Sequence, residues 1–391
     1  MLSNKKGATF GTIVAVFGSI LIALGVAWLI AQNWHQIPSA LKIIILLGAT
    51  SAAYAAGMVF RVRNYEGIGK ALLALGALLY TLSIFLIAQI FFTSTSLQGT
   101  AWLFLISWVG VVAAAYIFDS SASLVVGLAE FVVWLCIQFL AFYDWRLFYG
   151  NEPQFGILAF YLLATGVLLY GLSLLHRFRQ HKFGSVYQWW TAFFFLFFTY
   201  ILSFQTLLPV IWPTEAKTST PPIVFLFFLV VTGLVVLIVG IVASLSNRSI
   251  ENKEIIGIVI AVAFLAILIG LTSIVSGERA YWFFGSRGEV STSLWAIWIF
   301  ANVVFILIIL AVIFYGTWQR LPKLINLGIF FFSLDIITRY IGFVMDLWGY
   351  TSLSIIFITG GIVLIAGGWL VEKWRRNLIS KVKPTIKPKA K

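Results

Sequence analysis

The sequence predicts an all-α fold: a polytopic transmembrane helix bundle of about twelve spans with both termini cytoplasmic. Three observations carry this. Of 391 residues, 61% are hydrophobic and only 10% charged, against about 25% charged in soluble domains. The apolar residues run in continuous segments of bilayer-crossing length, where a β-barrel would need short alternating strands. Basic residues collect in every second loop, the pattern of a chain sorted by the positive-inside rule.

Taken in order, the segments fall at approximately 9–31, 41–60, 71–92, 101–118, 123–143, 155–175, 187–208, 223–245, 255–275, 294–317, 324–344 and 352–371. The first follows Lys5 and Lys6 and far exceeds the roughly 7–15 apolar residues of a secretory signal, so it is read as a retained span. The second starts after Pro38, a residue suited to a helix start. The narrowest division lies between the fourth and fifth, where Asp119-Ser120-Ser121 alone parts two apolar runs. With cytoplasmic termini, twenty Lys and Arg fall inside and five outside, leaving Arg339 within a span. An even span number follows. Residues 1–380 are read as one transmembrane domain, and 381–391 as a basic, Pro-broken, disordered tail held near anionic lipid headgroups.

Glycines mark expected close approaches. Gly11, Gly18 and Gly25 repeat at seven, as do Gly69/Gly76, Gly233/Gly240, Gly360/Gly367 and Gly361/Gly368. Small residues on one face let helix backbones pack closely within a membrane. Trp189 with Trp190, Tyr281 with Trp282, and Trp369 with Trp374 are expected in the aromatic belts.

Several chemistries are excluded. One cysteine, Cys136, permits neither an intrachain disulfide nor a Cys-based metal cluster. Gly67-Ile68-Gly69-Lys70 lacks the earlier Gly and the Ser/Thr of a phosphate-binding loop. The basic residues sit in short loops, which excludes nucleic acid as a partner. His176 and His181 flank Arg177 and Arg179 and read as a solvated basic cluster facing lipid headgroups. No catalytic residue, metal ligand or cofactor site is assigned.

The candidate polar sites are few. Asp335 lies about 16 Å along its segment, near the middle of a hydrocarbon core roughly 30 Å thick. Arg339 follows four residues later, on the same face, where each charge offsets the other. A lone charge at that depth costs about 2.5–3.5 kcal/mol on insertion scales. Glu130 falls about 10 Å inside the fifth segment, and Gln89 and Gln138 can bridge helices. A further candidate is the extracytoplasmic loop Asn33, Trp34 and His35, readable either as a helix cap or as a polar site.

The Gly-rich first span running into Ala31-Gln32-Asn33-Trp34-His35-Gln36-Ile37-Pro38 resembles the DUF2157 family of prokaryotic membrane proteins. Ala88-Gln89-Ile90-Phe91 with Trp102, and towards the C-terminus Asn326-Leu327-Gly328, Arg339-Tyr340 and Trp374-Arg375-Arg376, are similar to it too. The likeness is clearest over 1–110 and 320–376. It implies a multi-pass protein of the inner (cytoplasmic) membrane and supplies no catalytic residue.

Three functions compete. A transporter or permease for a small solute or ion fits the span count and the intramembrane charges. Against it, the halves show no inverted repeat and no pair of Gly/Pro-broken spans. A non-catalytic scaffold or envelope assembly factor fits the glycine stripes and basic loops. An enzyme acting on lipid-linked substrates ranks third, because the outward acids are scattered. The lipid bilayer, with anionic headgroups at the basic face, is the expected partner.

Overall fold

The computed structural model describes residues 36–91, 96–143, 155–204, 220–246, 252–274, 292–347 and 353–382, with Trp28 and Gln32. Asn33, Trp34, His35, the glycines of the first span, and Tyr281 and Trp282 lie outside the described residues. Among the described residues every regular element is a helix. They are α1 (Ser39–Val62), α2 (Glu66–Phe91), α3 (Leu97–Ile117), α4 (Ser121–Phe142), α5 (Phe155–Phe178) and α6 (Phe183–Leu202). Then come α7 (Thr220–Ser246), α8 (Asn252–Ile274), α9 (Thr292–Trp318), α10 (Pro322–Leu347) and α11 (Leu353–Val382). Nine of these, α1–α7, α9 and α10, are long and apolar enough to cross a membrane.

Four connections are tight turns with one residue in the left-handed region: Asn64 (φ 65°), Asp119 (φ 45°), Gln180 (φ 51°) and Arg320 (φ 54°). After each, the next N–H bonds a carbonyl five residues back, as in Tyr65 to Phe60 at 2.9 Å and Ser120 to Ala115 at 2.8 Å. This is the pattern that closes a helix by satisfying its last carbonyls. The Asp119 turn therefore separates two helices. Gly127 packs on Val111 and Val112 across that turn, so α3 and α4 fold back on each other.

The chain forms two compact units, one of Met1–Ser96 and Leu103–Gly127, the other of Leu97–Trp102 and Leu128–Lys391. In the first, glycines fix the α1/α2 hairpin. A Cβ on Gly69 would lie 2.9 Å from the Gly57 carbonyl oxygen, and one on Gly76 would lie 3.0 Å from the Tyr54 ring. Thr50 and Ser83 hydroxyls meet at 3.2 Å between the same helices. Arg61 of α1 donates to the carbonyls of Phe118 (2.5 Å) and Asp119 (3.2 Å), where α3 ends.

In the second unit, α5 and α7 run parallel through reciprocal glycine contacts. A Cβ on Gly171 would meet the Leu237 nitrogen at 2.7 Å, and one on Gly240 the Gly171 oxygen at 2.8 Å. One apolar cluster joins Ala159, Phe198, Leu202, Leu294, Ile297, Ala301 and Val304 of α5, α6 and α9. A second joins Leu196, Phe305, Ile309, Ile313, Ile325 and Phe331 of α6, α9 and α10, with Leu378 of α11 against it. The glycine expectation holds for α2 and α7. On α11 it divides: Gly360 abuts Tyr340, whereas a Cβ on Gly361, Gly367 or Gly368 meets nothing within 4 Å.

One sequence reading is corrected. Trp190, expected in an aromatic belt, is buried at 9% exposure and packed on Phe193 and Phe194, because its α6 face turns to the protein. Beyond the apolar segment 352–371, α11 continues as helix to Val382, held by Arg375 and Arg376 on Glu372 and by Arg375 on Asn326.

Candidate functional site: two polar clusters in the second unit

The first cluster gathers where α6 ends. The α6 backbone stops at Leu202, and the carbonyl of Ser203 is one of the acceptors a helix C-terminus leaves open. Three donors from two other helices converge on it: Trp298 Nε1 at 2.8 Å and Asn302 Nδ2 at 3.2 Å from α9, and Arg339 Nη2 at 2.8 Å from α10. The same Arg339 nitrogen donates to Ser203 Oγ (2.8 Å) and Asn302 Oδ1 (2.7 Å). Its Nε donates to Asp335 Oδ1 at 3.2 Å, and Phe204 lies under the guanidinium at 5.0 Å.

Arg339 is thus a cation at the negative end of a helix, a placement favourable by about 0.3–2 kcal/mol. Asp335 pairs with it along its own helix, while Arg339 also crosses to α6 and α9. Sequence spacing identified the pair. The partners Ser203 and Asn302, respectively 136 and 37 residues away in sequence, carry no local signal.

The second cluster lies at the other end of α6. Glu254, in the first turn of α8, has a side chain only 3% exposed. Arg177 of α5 donates to it bidentately, Nη1 to Oε1 at 2.5 Å and Nη2 to Oε2 at 3.1 Å. Tyr170 and Tyr315 hydroxyls donate to Oε1 at 3.0 and 2.9 Å. Gln188 Nε2 of α6 donates to the Tyr315 hydroxyl at 2.5 Å, leaving that group's proton directed at the carboxylate. Helices α5 and α9 meet here on the acid of α8, and α6 joins them through Gln188 and Tyr315.

This divides the basic cluster read around His176. Arg179 and Lys182 are exposed as expected, but Arg177 turns inward because a buried carboxylate waits one helix away. His176 Nδ1 lies 2.8 Å from the Leu172 carbonyl, which only accepts, so that nitrogen carries the proton. Its ring meets that of His181 at 5.6 Å.

The remaining candidates lie apart from these clusters. Glu130 is 6% exposed, on the protein-facing side of α4. Val125, Ala129 and Val133 take the opposite, exposed side. Gln138 exchanges amide hydrogen bonds with Gln98 at 3.2 and 3.4 Å, tying α4 to the start of α3. Gln89 is exposed near the end of α2. Among the described residues no group of three or more His, Cys, Asp or Glu is placed to hold a metal ion.

Residues 2–124 match the family model described as Predicted membrane protein (DUF2157). That stretch ends within three residues of the first unit's boundary at Gly127, and the closing motifs around Asn326, Arg339 and Trp374 lie beyond it. No curated protein and no solved structure matches the chain.

Proposed function

We propose that this multi-pass membrane protein is a permease-like bundle of the cytoplasmic membrane that moves a small solute or ion, with Glu130 on its path. The observation that carries the reading is the placement of that acid. It stands about 14 Å along α4 from Ser121, in a helix otherwise free of Asp, Glu, Lys and Arg, and it faces protein. An ionisable group kept at such depth, against an insertion cost of about 2.5–3.5 kcal/mol, marks ion and solute routes by default.

The test is proton flux into proteoliposomes loaded with a pH-sensitive dye, driven by an imposed potassium diffusion potential. Flux above empty liposomes that disappears in Glu130→Gln, with the variant still monodisperse, supports the reading. Equal flux in the two proteins, or none in either, removes Glu130 from any proton path.

A second reading is favoured by a different observation. Between the two polar clusters the second unit is filled by Phe194, Leu196, Phe198, Phe305 and Ile309, each at 1% exposure or less. A sealed aromatic layer with charges spent on joining helices suits a non-catalytic scaffold or envelope assembly factor. That reading expects no flux and a stoichiometric partner after mild solubilisation. Under either, exposed Arg179, Lys182, Lys373 and Arg376 at the helix ends are the groups for anionic headgroups of the inner leaflet.

A further inference from the structure

We propose that Tyr170, Arg177, Gln188 and Tyr315 form a carboxylate-binding cradle, occupied in this structure by the protein's own Glu254 and able to take a small external carboxylate in its place. Arg177 and Tyr170 stand on α5, Gln188 on α6 and Tyr315 on α9. These three helices are held to one another without α8: the clusters built on Ala159, Phe198, Ala301 and on Leu196, Phe305, Ile309 draw their buried members from α5, α6, α9 and α10. The cradle is therefore assembled by the core, not by the acid it holds.

The chemistry of the set is uniform: a guanidinium fork and two hydroxyls donate to a single carboxylate, and the Gln188 amide donates to the Tyr315 hydroxyl and so orients it. The fork matches two carboxylate oxygens in one plane, which a point charge would not require. Four hydrogen bonds from three side chains of α5 and α9 around one carboxylate, with Gln188 of α6 fixing one of the hydroxyls, is what a site for a free carboxylate looks like once it is filled.

Among its described side chains, α8 has few protein contacts besides Glu254. On α8 the side chains of Ile256, Val259, Ile260 and Ile267 are 50–61% exposed, and a Cβ on Gly257 would meet nothing within 4 Å. Leu271, packed against the first apolar cluster, is its one described side chain set there. Glu254 is the buried anchor at the other end. A soluble carboxylate in the cradle would release the start of α8, so ligand and α8 compete for the same donors. The inference concerns binding and stands whether or not the bundle conducts solute.

Two experiments test it. Glu254→Ala empties the cradle of its carboxylate. Purified in detergent, that variant is expected to gain a saturable rise in Tm of roughly 3–5 °C from sodium acetate. Acetamide and sodium chloride at matched concentration should give none, and neither should acetate on Glu254→Ala/Arg177→Met. In the wild type, acetate at constant ionic strength is expected to speed amide deuterium uptake over 252–258 at least threefold, while uptake over 187–200 of α6 stays unchanged. A folded Glu254→Ala that ignores acetate overturns the cradle. Should that variant not accumulate, wild-type exchange decides alone: no acetate-specific change at the start of α8 overturns the proposal.

Discussion

At the scale of single residues, the second unit treats charge inside the membrane as a fastening. Arg339 is placed so that its loss is felt on three helices, whereas Asp335 contributes one bond to it. Arg339→Leu removes donors from the Ser203 carbonyl, its hydroxyl and Asn302 and leaves Asp335 without this partner. Breaking a buried charged pair costs about 3–5 kcal/mol; with Arg339 one-third exposed, roughly 2–4 kcal/mol is the expected loss. Arg339→Lys should recover little, because an ammonium does not reproduce the fork. The double Asp335→Leu/Arg339→Leu should recover only part of the loss, since the bonds to α6 and α9 stay absent. Denaturation of the wild type, Asp335→Leu, Arg339→Leu and the double in one detergent measures this as a double-mutant cycle. A double variant as stable as the wild type would mean that the pair only neutralises itself.

At the scale of elements, the glycine contacts separate helices that touch from helices that face lipid. Gly240→Ala puts a Cβ 2.8 Å from the Gly171 oxygen, a backbone atom that cannot move aside, so α5 and α7 must part. Gly367→Ala meets nothing within 4 Å and exchanges a flexible residue for the best helix former. The expected outcome is a lower Tm and aggregation for the first and an unchanged or raised Tm for the second, read on a fluorescent fusion. The end of α11 carries its own pH signature. Hydrogen bonds from Arg375 and Arg376 hold the Glu372 carboxyl down to about 2, from an ordinary 4.5. A depressed folded pKa stabilises above the unfolded value and loses that contribution as pH falls, here between about 4.5 and about 2. Amide protection over 372–382, taken relative to the intrinsic exchange rate at each pH, should fall in that window in the wild type and stay flat in Glu372→Gln. High salt should shrink the difference, because these groups are exposed.

The helices themselves were legible because hydrophobic length is a local property. Among the described residues a helix lies in each apolar segment from 41–60 onward, and Asp119 proves to be a turn, since a residue at positive φ ends α3 as glycine would. The Asp335/Arg339 pair was legible for the same reason, at four residues' spacing. Glu254 was not. It reads as one more polar residue before an apolar run, and its partner Arg177 lies 77 residues earlier within a stretch that looks merely basic. Ser203 likewise gives no sign that three side chains will close on its carbonyl. Long-range polar pairing follows from which helix ends the topology brings together, and no period along the chain encodes that.

At the scale of the whole molecule, the two clusters make the orientation testable. In the second unit the hairpins α5/α6 and α9/α10 close at the end holding Arg177 and Tyr315, while Ser203, Trp298 and Arg339 gather at the other. The basic bias of the loops then predicts a cytoplasmic Arg177 end. Lys182, in the α5/α6 turn, and Thr292, which starts α9, are both exposed and lie at opposite ends. In a Cys136→Ala background, a membrane-impermeant maleimide added to intact spheroplasts should label Thr292→Cys and spare Lys182→Cys until the membrane is opened. The converse pattern would invert the bundle and place its basic turns outside. Labelling of both in intact cells would mean that α6 and α9 do not each cross the bilayer, and the parity on which cytoplasmic termini rest would fall with them.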